Sequence, residues 1–318
     1  MPAITHAPRK SAVLAPSSLA CLSRMPTVNL TAGCAIGCVY CYTLGYMSHP
    51  GDRNIVLYEN IFEKLKREFG RKRRIPRSVF FSPSSDIFQP VAEVLDLAHR
   101  VLEFLLSEGV GVAILTKGRV PEATMDLLRQ HADKVSVQIG ITTLDADVAK
   151  VFEPNAATPG ARLDQIASLI AGGVSTQARL DPVMPGITDD PENLDRLFSA
   201  LEAAGVSKSA VGLLFLRPRI LRSLKDNVHD RRMLQNILSV YDHSERLAIR
   251  AENSGITALP ASIREEIFTR VRHIAGNHSI NVSICACKNP DLATGTCGIG
   301  GSSPMRSSAS GVQRRMLV

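Results

Sequence analysis

A parallel α/β fold is what this chain of 318 residues predicts, and three observations predict it. Short β-branched runs alternate with longer amphipathic stretches through most of the length. Proline and glycine fall where helices begin and end. With 45% hydrophobic and 21% charged residues, 22 Gly and 18 Pro, the composition is that of a globular protein and excludes collagen-like, disordered and coiled-coil classes.

The elements follow in order. Strands are read at Thr27–Leu30, Ser78–Ser82, Val110–Thr116, Val135–Thr142, Thr176–Asp181 and Ala210–Leu216. Helices are read near Tyr58–Phe69, Val91–Ser107, Pro121–Gln130, Asp145–Phe152, Ala161–Ala171 and Pro191–Ala204. Pro121 and Pro191 suit a first helical turn, where a missing N–H costs nothing, and Gly109 and Gly205 supply stops. Such units imply a parallel sheet with helices outside, either doubly wound or curled into a partial barrel; periodicity does not choose between them. After Leu216 comes a basic segment (Arg217, Arg219, Arg222, Lys225), then helices near Arg231–Leu247 and Pro260–Ala275 and a strand-like run, Ser279–Ile284. The expected organisation is a flexible tail over 1–24, a βα body over 25–220, an extension over 221–300 and a disordered basic tail over 301–318.

The net charge of +7 sits mostly in the tails: residues 1–30 and 301–318 carry three basic side chains each and no acid, which leaves the body near +1. That is a poor electrostatic grip on nucleic-acid phosphates. The run RKRR at 71–74 reads as a solvated face. No apolar run approaches the roughly 20 residues that cross a bilayer, and no secretory h-region opens the chain, so the expectation is a cytoplasmic protein without a membrane partner.

Cysteine carries more information. Cys34, Cys38 and Cys41 form C-x3-C-x2-C after the first strand, Cys285, Cys287 and Cys297 form C-x-C-x9-C near the end, and apart from Cys21 there are no others. Tight groups at the two ends of a long chain look like metal sites, not a disulfide framework. Three thiolates on a four-iron, four-sulfur cluster leave one iron open for a small chelating molecule. A structural zinc site, which takes four protein ligands, is the alternative, and no fourth Cys or His lies close in sequence.

With Tyr40 and Tyr42 flanking Cys41, the cysteine triad resembles the signature of radical S-adenosylmethionine (SAM) enzymes. More narrowly, the chain resembles their spore photoproduct lyase-like branch. The likeness continues through Ser85-Asp86-Ile87-Phe88-Gln89-Pro90, Leu115-Thr116-Lys117, Ile141-Thr142-Thr143-Leu144-Asp145, Phe152-Glu153-Pro154, Arg162-Leu163 and Pro182-Val183-Met184-Pro185-Gly186, covering about residues 27–220 in order. The resemblance implies a partial (β/α)6 TIM-type barrel, here with a C-terminal helical, cysteine-rich extension. It implies a 4Fe-4S cluster held by Cys34, Cys38 and Cys41 at the C-terminal ends of the strands, with SAM on the open iron. An electron from a donor such as flavodoxin or ferredoxin then cleaves SAM to a 5'-deoxyadenosyl radical that abstracts hydrogen from substrate. Tyr40 and Tyr42 match aromatics near the cluster and substrate; Ser85 and Lys117 match positions that contact SAM; Thr142, Glu153, Arg162 and Arg179 are weaker candidates, since buried ion pairs use the same residue types.

The likeness stops at one place. The lyase repairs a thymine dimer with a cysteine just before its Ser-Asp pair, whereas here Phe81-Ser82-Pro83-Ser84-Ser85-Asp86 contains no thiol. The substrate is therefore left as a small molecule, peptide or nucleic acid. For Cys285, Cys287 and Cys297 the favoured reading is an auxiliary iron–sulfur cluster, with Cys21 as a possible fourth ligand, over a zinc site completed by His278 or unliganded thiols. The rival functions are a nucleic-acid repair or modification enzyme and a noncatalytic zinc-binding protein.

Overall fold

Strands apolar on both faces need helices on one side and packed side chains on the other. A computed structural model of the protein, describing residues 2–16, 22, 25–51, 54–71, 74–249, 254–286, 288–293 and 297–299, supplies both. In chain order the elements are β1 (Ala3–Ala7), β2 (Thr27–Val28), β3 (Thr31–Ala32), β4 (Asn54–Tyr58), α1 (Ile61–Arg71), β5 (Ser78–Phe81), α2 (Ala92–Ser107), β6 (Gly111–Thr116), α3 (Glu122–Gln130), β7 (Val135–Gly140), α4 (Ala146–Phe152), α5 (Pro159–Ala171), β8 (Ser175–Val183), α6 (Pro191–Ala203) and β9 (Lys208–Leu213). They continue as α7 (Pro218–Asn227), α8 (Arg231–Ser239), β10 (Glu245–Ile249), β11 (Ser254–Ala258), α9 (Ala261–Asn277) and β12 (Asn281–Ile284).

Seven strands form the main sheet in the order β12-β9-β8-β7-β6-β5-β2, every neighbouring pair parallel. The edges β2 and β12 do not pair, so the barrel is partial. Six of its strands are the six read from the sequence. The seventh, β12, lies on β9 with Asn281 opposite Lys208, so the end of the C-terminal extension completes the sheet. Alternation along the strands sorts the side chains. Val79, Phe81, Val112, Ile114, Val137 and Ile139 join the main core with Val94, Leu97, Val101 and Leu105 of α2, while Phe80, Ala113 and Ala210 face a separate cluster with Leu22, Cys285, Cys297 and Ile299. Each large apolar side chain fully buried in this way contributes roughly 1.5–3 kcal/mol.

Helix starts are set locally. Thr158 accepts from Ala161 N with Pro159 in the first turn of α5, and Asp190 accepts from Asn193 N with Pro191 in the first turn of α6; such caps are worth about 1 kcal/mol each. Pro121 stands one residue outside α3, as its N-cap.

Two regions depart from the sequence reading. Within the expected tail 1–24, Ala3–Ala7 pairs in parallel with β4, and Val13 is fully buried; the main-chain hydrogen bonds of a strand need no apolar pattern to announce them. The helix read over Arg231–Leu247 ends at Ser239, and Glu245–Ile249 is a strand of an antiparallel hairpin. The break is fixed by Tyr241, buried, whose hydroxyl donates to Leu214 O. Among the described residues no helix is long and apolar enough to cross a membrane.

Candidate active site

A cavity of about 220 Å³ opens at the C-terminal ends of the strands, and both cysteine groups reach it. Cys34, Cys38 and Cys41 come from the loop after β3, Ser82 and Ser85 from the loop after β5, Lys117 from the end of β6, Arg179 and Asp181 from β8, and Cys285, Lys288 and Cys297 from the segment after β12.

The cysteine loop is braced from three sides, by Gln89 and Phe152 of the short motifs noted above and by Asn155, just beyond one of them. Gln89 accepts from Ala35 N at 2.7 Å and donates to Thr31 Oγ1 at 3.0 Å. Asn155 donates its side-chain amide to Ala35 O at 2.9 Å, and Phe152 O accepts from Val39 N at 3.0 Å. Gly33 and Gly37 take φ of +77° and +70°, and a Cβ on Gly33 would lie 2.4 Å from Asn54 O, so side chains are excluded there. Asp86 ties the neighbouring loops together, accepting from Phe88 N, Thr116 Oγ1 and Lys117 N at 2.7–2.8 Å. Burial pushes its carboxyl above the usual range despite those bonds.

Lys117 lies across β7. A Cβ on Gly140 would sit 2.8 Å from Lys117 Cγ, so the glycine is what lets the side chain pass. Its ammonium is 3.8 Å from Glu153, donates to Asp181 O at 3.3 Å and stands 5.3 Å from the Tyr40 ring centre. Although burial disfavours its charge, Glu153 foremost among the neighbouring groups keeps it protonated. Glu153 is itself held by Arg162, at 2.5 Å, and by the Tyr40 hydroxyl, which donates to it. Arg162 also donates to Gly140 O and Ala157 O.

A second charged group lines the same cavity. Arg179 donates to Asp181 Oδ2 through Nε and Nη2 at 3.1 and 2.7 Å, and Lys288 donates to both oxygens of Asp181 at 2.6 and 2.8 Å. Burial alone would raise the Asp181 carboxyl, but Lys288 and Arg179 hold it well below its usual range. Arg179 also donates to Gln138, which donates to Cys297 O at 2.6 Å, so the C-terminal segment is pinned into the barrel.

The residues present fit an iron–sulfur cluster and SAM. Burial pushes the Cys34 thiol up to about 12 and raises Cys38 well above its ordinary value, so these sulfurs ionise readily only against a bound cation. The three thiols come from one short loop and line one cavity, the donor set such a cluster takes. Two hydroxyls, Ser82 and Ser85, are buried on the cavity wall without a hydrogen-bond partner among the described residues, and Ser82 is held at φ +49°. Unmet hydroxyls beside a lysine ammonium suit a ligand with a carboxylate and further polar groups.

Of the residues singled out from sequence, Cys34, Cys38, Cys41, Tyr40, Tyr42, Ser85, Lys117, Arg179, Cys285 and Cys297 line this one cavity. Tyr42 donates its hydroxyl to Pro83 O and packs edge-on to Tyr46. Thr142 is set apart: it is buried behind the wall, its carbonyl accepting from Asn193. Cys21 and Cys287 lie outside the described residues. His278 is not beside Cys285 but ahead of β12, between Asp195 and Glu202 of α6. Sequence reasoning missed Ser82, Asp181, Gln138 and Lys288; the signal for Asp181 was polar side chains at alternate positions 177, 179 and 181 of one strand.

A family model described as the radical SAM superfamily matches residues 28–198. An uncharacterized protein of Mycobacterium tuberculosis strain H37Rv is 30% identical over 217 residues, covering 65% of this chain and 64% of that protein's length, so the match leaves about a third of each outside it. A radical SAM Nα-GlyT isomerase of Pseudomonas phage M6 is 27% identical over 173 residues, covering 54% of this chain and 35% of that protein. Among solved structures, a spore photoproduct lyase double mutant with bound AdoMet and dinucleoside spore photoproduct superposes with a TM-score of 0.68 at 16% identity, covering 88% of this chain and 81% of that one, which is a likeness of fold.

Proposed function

We propose, from the premise that the chain belongs to the radical SAM superfamily, that it reductively cleaves SAM at a 4Fe-4S cluster held by Cys34, Cys38 and Cys41 and uses the resulting radical to abstract hydrogen from a substrate in the cavity. The observation that carries this reading is the convergence of three thiols, two unmet buried hydroxyls and an ammonium on a single cavity at the strand ends. When bound, the cluster and SAM supply a 5'-deoxyadenosyl radical; the cofactors carry that chemistry.

The chain's own residues bind, orient and seclude. Lys117, kept charged by Glu153 with Arg162 behind it, holds the methionyl carboxylate. Ser82 and Ser85 take up the remaining polar groups of the same ligand. Tyr40, its hydroxyl committed to Glu153, offers only its ring to the cavity. Leu22, Phe80, Leu115, Leu213, Phe215 and Ile299 make most of the rest of the wall apolar, which excludes water from a reactive carbon radical. Arg179, Asp181 and Lys288 give the floor a residual positive charge. Cys285 and Cys297, both buried in that floor, are the described members of an auxiliary iron–sulfur site.

The test is anaerobic reconstitution with iron and sulfide, then dithionite and SAM. Formation of 5'-deoxyadenosine and methionine is expected, whereas a fully loaded cluster with no SAM cleavage overturns the reading. Iron content separates one cluster from two: about four atoms per chain argues against the auxiliary site and about eight supports it.

A further inference from the structure

The basic segment after β9 is placed where the cavity meets the surface. Arg217 lines the cavity and is the N-cap of α7, and α7 packs against Tyr42–Gly45, the turn directly after Cys41. Residues 217–232 hold six basic side chains against two acidic ones, a net +4, while the whole body from 31 to 300 is near +1. The other strongly basic run, residues 63–77 at net +6, leads into the start of β5, at the opposite end of the strands from the cavity, so of the two basic segments this is the one at the cavity mouth. Arg219, Arg222 and Lys225 are exposed at three-residue spacing along α7, with Arg231 and Arg232 exposed at the start of α8. None of these five is engaged in an ion pair among the described residues. Two residues beyond the packed turn, Met47 is fully exposed, far more than any other large hydrophobic side chain described. A lone apolar side chain near unpaired cations is the anatomy of a small polar-rimmed docking patch.

We propose that this patch, α7 with the start of α8 and the turn after Cys41, is the docking surface for an acidic one-electron carrier protein. The inference rests on the radical SAM reading, which requires an electron from outside the chain. One electron leaves the carrier's reduced flavin or iron–sulfur centre, which is oxidised by one unit, and enters the cluster across the Cys41–Gly45 turn, which lines the cavity on one side and packs on α7 on the other. An acidic carrier is the partner that the charge selects, since opposite potentials steer encounter and set orientation.

The experiment compares two reductants on the reconstituted holoenzyme. With reduced flavodoxin as probe, the triple substitution Arg219→Glu, Arg222→Glu, Lys225→Glu is expected to slow 5'-deoxyadenosine formation and weaken flavodoxin binding by about tenfold or more at low salt, and to flatten their dependence on ionic strength. With dithionite, the variant is expected to match the parent within about twofold, because none of the three residues touches the cavity. A parent inactive with dithionite sinks the radical SAM reading; a parent active with dithionite but a variant that keeps its flavodoxin rate and salt dependence sinks the docking proposal alone. Loss of single-stranded oligonucleotide binding with flavodoxin kinetics unchanged also overturns it, in favour of a nucleic-acid surface. The milder Arg219→Ala, Arg222→Ala pair, expected to lose part of the salt dependence, guards against a variant that fails to fold.

Discussion

Two cysteine-bearing segments meet in one cavity and are held there by different physics. The N-terminal loop is fixed by its own backbone: glycines at positive φ, main-chain groups capped by Gln89 and Asn155, and a hydrogen bond to Phe152 O. The C-terminal segment is fixed by charge and burial, with Lys288 on Asp181, Gln138 on Cys297 O, and Cys285 and Cys297 packed against Phe80 and Leu22. A loop that binds through backbone geometry tolerates changes beyond it; a plug that binds through a buried ion pair transmits damage into the barrel.

The largest effect is expected on the first side of that contrast. Cys38→Ser should leave the fold intact and reduce SAM cleavage by at least about a hundredfold, read as 5'-deoxyadenosine formed anaerobically together with the cluster absorbance. A variant with full absorbance and cleavage would falsify the ligand assignment. On the second side stability should suffer first. Asp181→Asn leaves the Arg179 and Lys288 charges side by side in a buried site, a loss of about 3–5 kcal/mol in denaturant unfolding. Lys288→Met, which leaves Arg179 and Asp181 paired, should cost distinctly less. Acid probes the same group: because the folded carboxyl titrates below its unfolded value, its contribution is present above the ordinary carboxylate range and disappears as pH falls beneath it.

The contrast also explains what was legible in the sequence. Strand and helix positions came from alternation, and the cysteine loop from spacing, because both are local. The motifs around Gln89, Lys117 and Glu153 were visible as strings, but their common purpose, bracing the loop and fixing one lysine, is a matter of tertiary contact. β12 could be read as a strand yet not as the seventh of the barrel, since its pairing with β9 spans three helices and a hairpin. Asp181 and Lys288 are 107 residues apart, and nothing local marks either as half of a pair.

A smaller effect sharpens the ligand side. Ser85→Ala removes an unmet hydroxyl and leaves no orphaned protein partner, so stability should hold while SAM binding weakens by about two- to tenfold, measured by equilibrium dialysis on the reconstituted protein. For Ser82 the backbone must be respected: at φ +49° glycine is the substitution that deletes the hydroxyl without strain, and Ser82→Gly should show the same signature. Weakened binding in either variant accompanied by equal loss of stability would recast that hydroxyl as structural.

The smallest effect concerns how the C-terminal segment is approached. His278, just after α9 and ahead of β12, bonds Asp195 at 2.9 Å and Glu202 at 3.1 Å on α6, which moors the start of the seventh strand. The bond to Asp195 raises its pKa above the ordinary 6.5, burial opposes, and the bond to Glu202 adds to the rise. Because the folded protein holds this proton more tightly than the unfolded chain, the stabilisation is complete below about pH 6.5 and is lost as pH rises through the folded value. Thermal unfolding should therefore move down slightly between pH 6 and pH 8 in the parent, by a degree or two at most, and His278→Gln should remove that drift while leaving the absorbance of the cluster proposed on Cys34, Cys38 and Cys41 unchanged. A drift that persists in the variant would place the titrating group elsewhere and detach β12 from the charge-held half of the comparison.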